Sequence, residues 1–377
     1  MAGIYFHIPF CKQACTYCNF HFSTVSKNKD LLVDSMYREL ELRKGFFNDE
    51  IIDSIYFGGG SPSVLSPKII GRLIMKARNI FNISNSVEIT LELNPDDSSL
   101  EYLEDLKANR INRLSVGIQS FIEEDLRLMN RVHSSDQAFN AINDSRSVFE
   151  NFSIDLIYGL PNSNRGKWTF NLNNALLFNP PHISSYALIV EPKTILKKQV
   201  DSGEVLLVDE SEVERQYHYM IKYLEKKNYH NYEFSSFAKS KNYSVNNNGY
   251  WKGKPYLGIG PSAHSFDGNN KRSWNISQNN LYIKAIKRNQ LPLTEENLSL
   301  KDRYNEVVMI GLRTSSGVSL SFIRENIGNK FADYLEENSK RQILSNKLFW
   351  EGDNLHVTKK SKFLSDGIAS DLFIIDL

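Results

Sequence analysis

The chain has 377 residues, of which 41% are hydrophobic and 24% are charged. These values are typical of a globular protein with one large core and a further domain, and they exclude disordered, collagen-like and disulfide-rich classes. The 45 Lys and Arg residues nearly balance the 44 Asp and Glu residues, which leaves a formal net charge of +1. Because no global field favours a polyanion, we expect no nucleic-acid partner.

The N-terminal residues predict a cytoplasmic protein without a membrane span. The run Met-Ala-Gly-Ile-Tyr-Phe-His-Ile-Pro lacks the basic region, long apolar run and cleavage site of a signal peptide. It is instead typical of a first β-strand. No apolar stretch approaches the ~20 residues that a membrane helix needs.

Short β-rich runs alternate with amphipathic helical patterns through the first half of the chain, which is typical of βα units around a parallel sheet. The predicted strands are 3–8, 53–57, 87–93, 113–119, 153–158 and 183–190. The predicted helices between them are 29–44, 67–81, 100–109, 136–149 and 168–177. Glycine, cysteine or other polar residues lie at the ends of most of these strands, where parallel α/β folds bind ligands, and this pattern favours a barrel.

The repeat fades beyond about Tyr232, and we predict three segments: a core at 1–232, an extension at 233–297 and a C-terminal domain at 298–377. The runs 246–251 and 258–264 are rich in turn-forming and aromatic residues and predict loops and short antiparallel strands. The last segment shows helical patterns at 301–312, 320–326 and 330–346 and a hairpin through 349–357, as in a winged-helix module. Its basic and acidic residues are equal in number, which is not typical of a DNA-binding module.

All three cysteines of the chain, Cys11, Cys15 and Cys18, fall in one short segment. An odd number of clustered thiols cannot form a disulfide framework and indicates a reducing cytosol, where thiols hold metals or act in catalysis. Three thiolates from one loop suit an iron–sulfur cluster that leaves one iron open for a substrate or cofactor. The alternative is a zinc site in which His7 or His21 supplies the fourth ligand.

The spacing Cys-x3-Cys-x2-Cys, with Tyr17 just before the last cysteine, resembles the signature of radical S-adenosylmethionine (SAM) enzymes. The run Gly58-Gly59-Gly60-Ser61-Pro62 follows the second predicted strand, as the glycine motif of that family does. The resemblance implies a 4Fe-4S cluster on the three cysteines, with SAM bound to its open iron. It also implies an electron donor such as flavodoxin if radical chemistry occurs.

Further motifs are similar, in order along nearly the whole chain, to the branch that contains oxygen-independent coproporphyrinogen III oxidase and the HemW-type heme chaperones. These motifs are Tyr5-x-His7-Ile-Pro9-Phe10-Cys11, Glu92-Leu-Asn94-Pro95, Gly117-Ile-Gln119-Ser-Phe121, Asn130-Arg131, Asp155-Leu-Ile-Tyr158-Gly159-Leu160-Pro161 and Gly258-Ile-Gly260. The resemblance implies an α/β fold, namely a partial (β/α)6 TIM-like barrel of the radical SAM type with a smaller α+β HemN-type C-terminal domain. It further implies that SAM is contacted by Tyr5, Tyr17, Gly59, Gly60, Ser61, Glu92, Gln119, Arg131 and Asp155. The carboxylates among them suit the ribose hydroxyls, and Arg131 suits the SAM carboxylate.

Two features separate the oxidases of this branch from the chaperones. The oxidases carry a long N-terminal extension before the cluster loop, whereas ten residues precede Cys11 here. They also carry a cysteine two places after the third cluster ligand, where this chain has Phe20. We therefore predict a chaperone that binds heme or a related tetrapyrrole and passes it to acceptor proteins such as respiratory cytochromes. The alternative is the oxidase reaction, in which propionate side chains are decarboxylated to vinyl groups.

The predicted heme contacts lie in the extension. HemW-like proteins usually carry His-Asn-x-x-Tyr-Trp, and Asn246 stands at the position of that histidine. Because an amide is a poor axial ligand for iron, His264 is the candidate ligand. Tyr250 and Trp251 are the residues expected to pack against the macrocycle.

Overall fold

The structure is a computed structural model that describes residues 2–240 and 242–375. Its contacts divide the chain into two units, the first made of Met1–Gln216 and Ser244–Glu296 and the second of Tyr217–Tyr243 and Asn297–Leu377. This division differs from the three predicted segments because most of the predicted extension packs with the strands of the first unit. Within the described residues, no helix combines the length and the hydropathy that crossing a membrane requires.

Six βα units form the framework of the first unit, as the sequence predicts. The strands are β1 Ala2–Ile8, β2 Ile52–Gly59, β3 Ile83–Leu93, β4 Arg113–Gln119, β5 Phe152–Tyr158 and β6 His182–Ala187. The helices are α1 Lys29–Leu42, α2 Pro67–Ile80, α3 Leu100–Ala108, α4 Glu123–Leu128, α5 Ser135–Val148 and α6 Arg165–Leu177. Each strand from β1 to β5 pairs in parallel with the next one along the chain. The predicted α/β class is confirmed, with each predicted element within a few residues of its expected bounds.

Alternation along the strands explains how the framework packs. In β4, Leu114, Val116 and Ile118 are fully buried and apolar. The alternate residues Ser115, Gly117 and Gln119 line a cavity inside the curved sheet. Because successive side chains of a strand point to opposite faces, the apolar set packs on the helices while the polar set faces the interior.

Helices α7 Ile195–Asp201 and α8 Glu210–Glu225 follow β6, and the chain then returns to the other side of β1. The elements there are α9 Val245–Trp251, β9 Tyr256–Ile259, β10 His264–Phe266, β11 Lys271–Asn275, α10 Asn279–Lys287 and β12 Leu293–Asn297. Strand β9 pairs in parallel with β1, and β10 pairs antiparallel with β9 and with β11. The expectation of only loops and antiparallel strands was therefore wrong at α9 and β9.

Helix α9 forms although its sequence is rich in turn residues. The Ser244 side chain accepts a hydrogen bond from the backbone N–H of Asn247 and caps the helix start. The Glu88 carboxylate accepts hydrogen bonds from the N–H groups of Val245 and Asn246 at 2.9 and 3.3 Å. Glu88 is distant in sequence, so no local pattern in the run reveals this second cap.

A buried carboxylate joins α1 to the segment that follows β9. Glu39 has no exposed surface and accepts hydrogen bonds from the N–H of Gly260 (2.8 Å), the amide of Asn275 (2.7 Å) and the hydroxyl of Tyr282 (2.6 Å). Arg43 lies 3.7 Å from the same carboxylate. Since a buried charge is tolerated only when it is paired and hydrogen-bonded, these contacts hold the Gly258-Ile-Gly260 run against the barrel.

The second unit contains the antiparallel pair β7 His230–Asn231 and β8 Ser236–Ala238. Its remaining elements are α11 Leu300–Arg313, β13 Val318–Ser319, α12 Leu320–Asn326, α13 Asn329–Leu344, β14 Leu348–Glu351, β15 Asn354–Val357 and α14 Ser365–Asp371. The three strands β13, β15 and β14 form a small antiparallel sheet in that order. The predicted α+β C-terminal domain with a hairpin after its long helix is confirmed.

Candidate functional site

A cavity of about 590 Å³ lies within the curved sheet of the first unit. Every residue that the resemblance assigns to SAM lines it, together with the three cysteines and Tyr250. His264 and Trp251 are not among the lining residues. The lining also includes residues that the sequence analysis did not select, namely Tyr56, Asn94, Arg113, Ser115, Ser184 and Asn246.

The loop that carries the cysteines lies between β1 and α1 and enters one side of the cavity. Its three thiols are partly buried, and burial raises the pKa of the Cys18 thiol to about 11. The Cys11 sulfur lies 3.6 Å from the hydroxyl of Ser61 in the glycine motif. Because iron binds the thiolate, loading of this loop with metal must release protons.

Whether the three cysteines fit a metal group depends on whether that group contains one metal ion or several. No three His, Cys, Asp or Glu side chains within residues 2–240 and 242–375 are arranged to hold one metal ion. In a cubane the thiolates bind different irons, so the three cysteines of one loop fit a cluster better than a single zinc. His7, a candidate fourth zinc ligand, has its Nδ1 3.2 Å from the Tyr5 hydroxyl and its Nε2 2.9 Å from the carbonyl of His21. Both of its ring nitrogens are therefore engaged.

The glycine motif approaches the cluster loop more closely than any side chain would allow. A Cβ atom on Gly60 would lie 2.7 Å from the carbonyl of Phe10 and 3.0 Å from the Cys11 sulfur. Gly59 has a φ of +110°, and a Cβ there would meet the His7 ring at 2.7 Å. These positions need glycine, and they leave a backbone-lined cradle beside the cysteines.

Glu92 is the carboxylate next to this cradle. It accepts hydrogen bonds from the Tyr56 hydroxyl at 2.9 Å and from the N–H of Gly59 at 3.2 Å. Burial raises the pKa of Glu92 to about 7, and the negative charge of Asp155 adds to the rise. The side chain therefore changes its charge near neutral pH, and its ionised form can accept hydrogen bonds from a bound ligand.

Arg131 crosses the cavity wall to the cluster loop. It donates hydrogen bonds to the Asn94 side chain (2.8 Å) and to the Gly117 carbonyl (2.9 Å), and one nitrogen lies 3.5 Å from the Cys15 sulfur. Its Nε is buried without a hydrogen-bond partner among the described residues. An arginine held in this way suits a carboxylate ligand beside the cluster.

Asp155 lies deeper in the barrel. It accepts hydrogen bonds from Ser115 at 2.8 Å and from Ser153 at 3.1 Å, and burial raises its pKa. Arg113 lines the same floor, is 2% exposed and has its Nε 3.8 Å from Glu88. The sequence analysis did not select Arg113 and Ser115. The sequence does contain a signal for them, because polar residues recur at every second position in β3, β4 and β5.

Helix α9 closes part of the barrel interior instead of presenting a surface loop. Asn246 is buried, 3.5 Å from the hydroxyl of Ser54, and Tyr250 also lines the cavity. His264 is exposed on β10, where its ring stacks on Trp274 at 5.7 Å between centroids. The structure therefore separates Tyr250, which lines the cavity, from His264, so the predicted heme contacts do not form one group.

Exposed apolar side chains lie among the residues that line this cavity. Phe20 is 68% exposed and Ile189 is 62% exposed, and Val132 and Tyr186 are also exposed. We call these four residues the collar. Phe20 follows the three cysteines in the chain, while Ile189 lies just beyond β6, which ends at Ala187 rather than at the predicted position 190.

Comparisons with known proteins match both the first half and the C-terminal part of the chain. The Radical SAM superfamily model matches residues 5–169, and the HemN C-terminal domain model matches residues 298–364. The heme chaperone HemW of Bacillus subtilis is 30% identical over 98% of this chain and 98% of its own length. The heme chaperone HemW of Lactococcus lactis is 31% identical over 99% of this chain and 97% of its own length.

One solved structure has the same fold over nearly the whole chain. Coproporphyrinogen III oxidase HemN of Escherichia coli matches with a TM-score of 0.85 and 24% identity, covering 99% of this chain and 90% of that chain. This likeness supports the architecture, and the full-length identity to HemW proteins supports the family. The chain therefore belongs to the radical SAM superfamily, in the branch that contains HemN and the HemW heme chaperones.

Proposed function

We propose that this protein is a HemW-type heme chaperone that carries a 4Fe-4S cluster and SAM, binds heme and transfers it to acceptor proteins. Its full-length relatives in two bacteria are named heme chaperones, which supports the heme cargo. The observation that carries the proposal is the lining of the cavity, which combines polar cofactor groups with the exposed apolar collar. The three free thiols fit a reducing cytoplasm.

In this proposal Cys11, Cys15 and Cys18 hold the cluster. When bound, the cluster supplies an open iron for SAM and the electron that would cleave it. The cradle at Gly59 and Gly60 admits the methionine part of SAM through backbone contacts. The remaining assigned residues bind the rest of the molecule: Arg131 binds its carboxylate, Glu92 and Asp155 accept hydrogen bonds from the ribose, and Tyr5, Tyr17, Ser61 and Gln119 complete the wall.

The collar is the surface on which we place the heme. Its four apolar side chains are exposed to solvent and border the cavity that holds the proposed cofactors. Covering such surface with a flat apolar ring is favourable by about 25 cal/mol per Å². Because His264 lies apart from this cavity and Asn246 is buried in the barrel, the collar replaces both as the proposed heme contact.

A heme titration followed by the Soret band tests this proposal. We expect the double variant Phe20→Ser/Ile189→Ser to bind heme at least about tenfold more weakly, since two large apolar contacts are lost. Leu206→Ser is the matched control, because Leu206 is 76% exposed but does not line the cavity. Asn246→His should leave heme affinity unchanged. A wild-type protein that gives no Soret change would overturn the proposed cargo.

The oxidase reaction is the second candidate, because the cavity brings together the complete set of residues assigned to SAM. Reconstituted protein would be incubated with coproporphyrinogen, SAM and a reductant such as reduced flavodoxin. Chromatographic detection of vinyl-bearing product at catalytic yield would favour the oxidase. Heme binding without such product would favour the chaperone.

A further inference from the structure

The segment that follows α4 packs along the loop that carries the cysteines. The N–H of Thr16 donates to the carbonyl of Met129 at 3.1 Å. The hydroxyl of the same threonine donates to the carbonyl of Leu128 at 3.0 Å. These two segments are more than one hundred residues apart in sequence, so only the folded barrel brings them together.

Asn130 makes the most extensive contacts between the two segments. Its side-chain amide donates to the carbonyl of Ala14 at 2.8 Å. Gln13 donates from its side-chain amide both to the Asn130 side-chain oxygen (2.7 Å) and to the Asn130 carbonyl (3.0 Å). Asn130 thus holds the two residues that immediately precede Cys15, through both its side chain and its backbone.

The backbone of Asn130 explains why this residue type stands there. Its φ is +54°, in the left-handed region that asparagine and glycine tolerate best. This conformation reverses the chain after Met129 and brings the next residue, Arg131, towards the Cys15 sulfur. The same turn therefore supplies both the anchor for the loop and the guanidinium beside the thiol.

A second anchor holds the start of the loop. Lys12 lies 2.9 Å from Asp96 and also pairs with Asp97. Both carboxylates are almost fully buried. Together with the contacts of Gln13, Ala14 and Thr16, the ion pairs of Lys12 spread anchors over residues 12–16, around Cys15.

We propose that the cluster loop is already formed in the metal-free protein and that Asn130 is its principal positioning residue. The inference rests on the proposed 4Fe-4S cluster, which gives the loop its purpose. Ordering a loop residue costs conformational entropy, and the hydrogen bonds to Asn130 offset part of that cost before any iron arrives. Cluster assembly then needs thiol deprotonation and the binding of iron and sulfide, but no folding of the loop.

The cysteines allow a direct test in the metal-free protein, because all three lie in this loop. Alkylation by iodoacetamide therefore reports only on the loop. Asn130→Gly keeps the positive φ accessible but removes the side-chain amide, whereas Asn130→Ala disturbs both. We expect both variants to be alkylated about tenfold faster than the wild type, since the two hydrogen bonds of the Asn130 side chain to Gln13 and Ala14 are lost.

Two controls separate the side chain from general effects. Asn346→Gly makes the same replacement at another positive-φ asparagine, with φ +56°, which belongs to the second unit, and should leave alkylation unchanged. Gln13→Ala should accelerate alkylation, and its effect should be smaller in the Asn130→Gly background, because the hydrogen bond between the two side chains is already absent there. If Asn130→Gly were alkylated at the same rate as the wild type, the proposed role of the Asn130 side chain would be overturned.

Cluster retention provides the readout in the loaded protein. After anaerobic reconstitution, loss of the visible chromophore to an iron chelator should be about tenfold faster in Asn130→Gly than in the wild type. Equal rates of loss would contradict the inference. If the wild type takes up no iron and sulfide at all, the proposed function fails, while the alkylation experiment still decides whether the loop is preformed.

Discussion

The barrel interior and the main core cluster of the second unit differ in the polarity of their buried side chains. In the barrel interior the buried side chains include Ser153 and His182, neither of which has exposed surface. The main core cluster of the second unit is apolar, with Val308 and Leu335 fully buried among aliphatic and aromatic neighbours.

Buried polar side chains and buried apolar side chains affect the stability of the fold differently. A buried polar group destabilises a fold unless it is hydrogen-bonded, and in the barrel such bonds are present, as between Ser153 and His182 at 2.8 Å. An apolar core carries no such requirement and stabilises in proportion to the area it buries. The comparison teaches that the chemistry of this chain is concentrated in the first unit, while the core of the second unit contributes mainly stability.

The largest effect is expected when one cysteine thiol is removed, and it should concern metal binding in the first unit and not the stability of the fold. We expect Cys15→Ser to lose nearly all cluster iron and sulfide after anaerobic reconstitution, because a cubane with two protein thiolates is poorly held. Thermal unfolding of the metal-free protein should stay unchanged, since the loop is anchored by other residues. Iron and sulfide analysis and a thermal melt measure the two effects. Full iron retention would show that other ligands hold the metal.

A cavity created in the core cluster of the second unit should lower the stability of that unit without changing how much iron the protein binds. Leu335→Ala removes a side chain with no exposed surface and should lower the free energy of unfolding of that unit by about 2–5 kcal/mol. Denaturant unfolding measures the loss, and iron content per folded protein should match the wild type. Leu344→Ala on the same helix is the control, because Leu344 is 85% exposed. A loss of cluster in Leu335→Ala would contradict the separation of roles.

The smallest expected effect concerns the charge of Glu92, and it tests whether this buried carboxylate contributes to SAM binding. Because its pKa is about 7, the carboxylate is mostly protonated at pH 6 and mostly ionised at pH 8. If the ionised form accepts the ribose hydroxyls, SAM affinity should rise by up to about tenfold over this interval. Calorimetry at several pH values measures the slope.

Glu92→Gln provides the control for that slope. The amide has no charge to lose, so its SAM affinity should be lower at pH 8 and should lack the rise between pH 6 and pH 8. A slope that persists in Glu92→Gln would assign the titration to another group. A wild-type affinity that falls with rising pH would contradict the proposed role of the carboxylate.

Several parts of the fold could be predicted because they depend on local patterns. Strand β4 has the bounds that alternation predicted, and α12 begins and ends where its helical pattern does. Helix α9 could not be predicted from its turn-rich sequence, because the local cap at Ser244 is supplemented by a second cap from Glu88 in β3. The early end of β6 was equally hidden, since the sequence continues to favour a strand through position 190.

The candidate site divides in the same way. Cys11, Cys15 and Cys18 were identifiable because a short spacing along the chain defines their chemistry, and Gly60 because a motif surrounds it. Arg113 and Asn130 acquire their roles only from partners far away in sequence. The collar likewise combines Phe20 with Ile189, which no spacing relates.

By itself the sequence determined the α/β class, the family and the residues of the cluster loop, because periodicity and motif spacing are properties of neighbouring residues. Only the tertiary structure decided that α9 lines part of the barrel interior, that Asn130 contacts the cluster loop and that His264 does not line the cavity. The physical reason is that burial and hydrogen-bond partners are set by contacts between distant segments. Those contacts exist only once the parallel strands have assembled and brought their loops to one face.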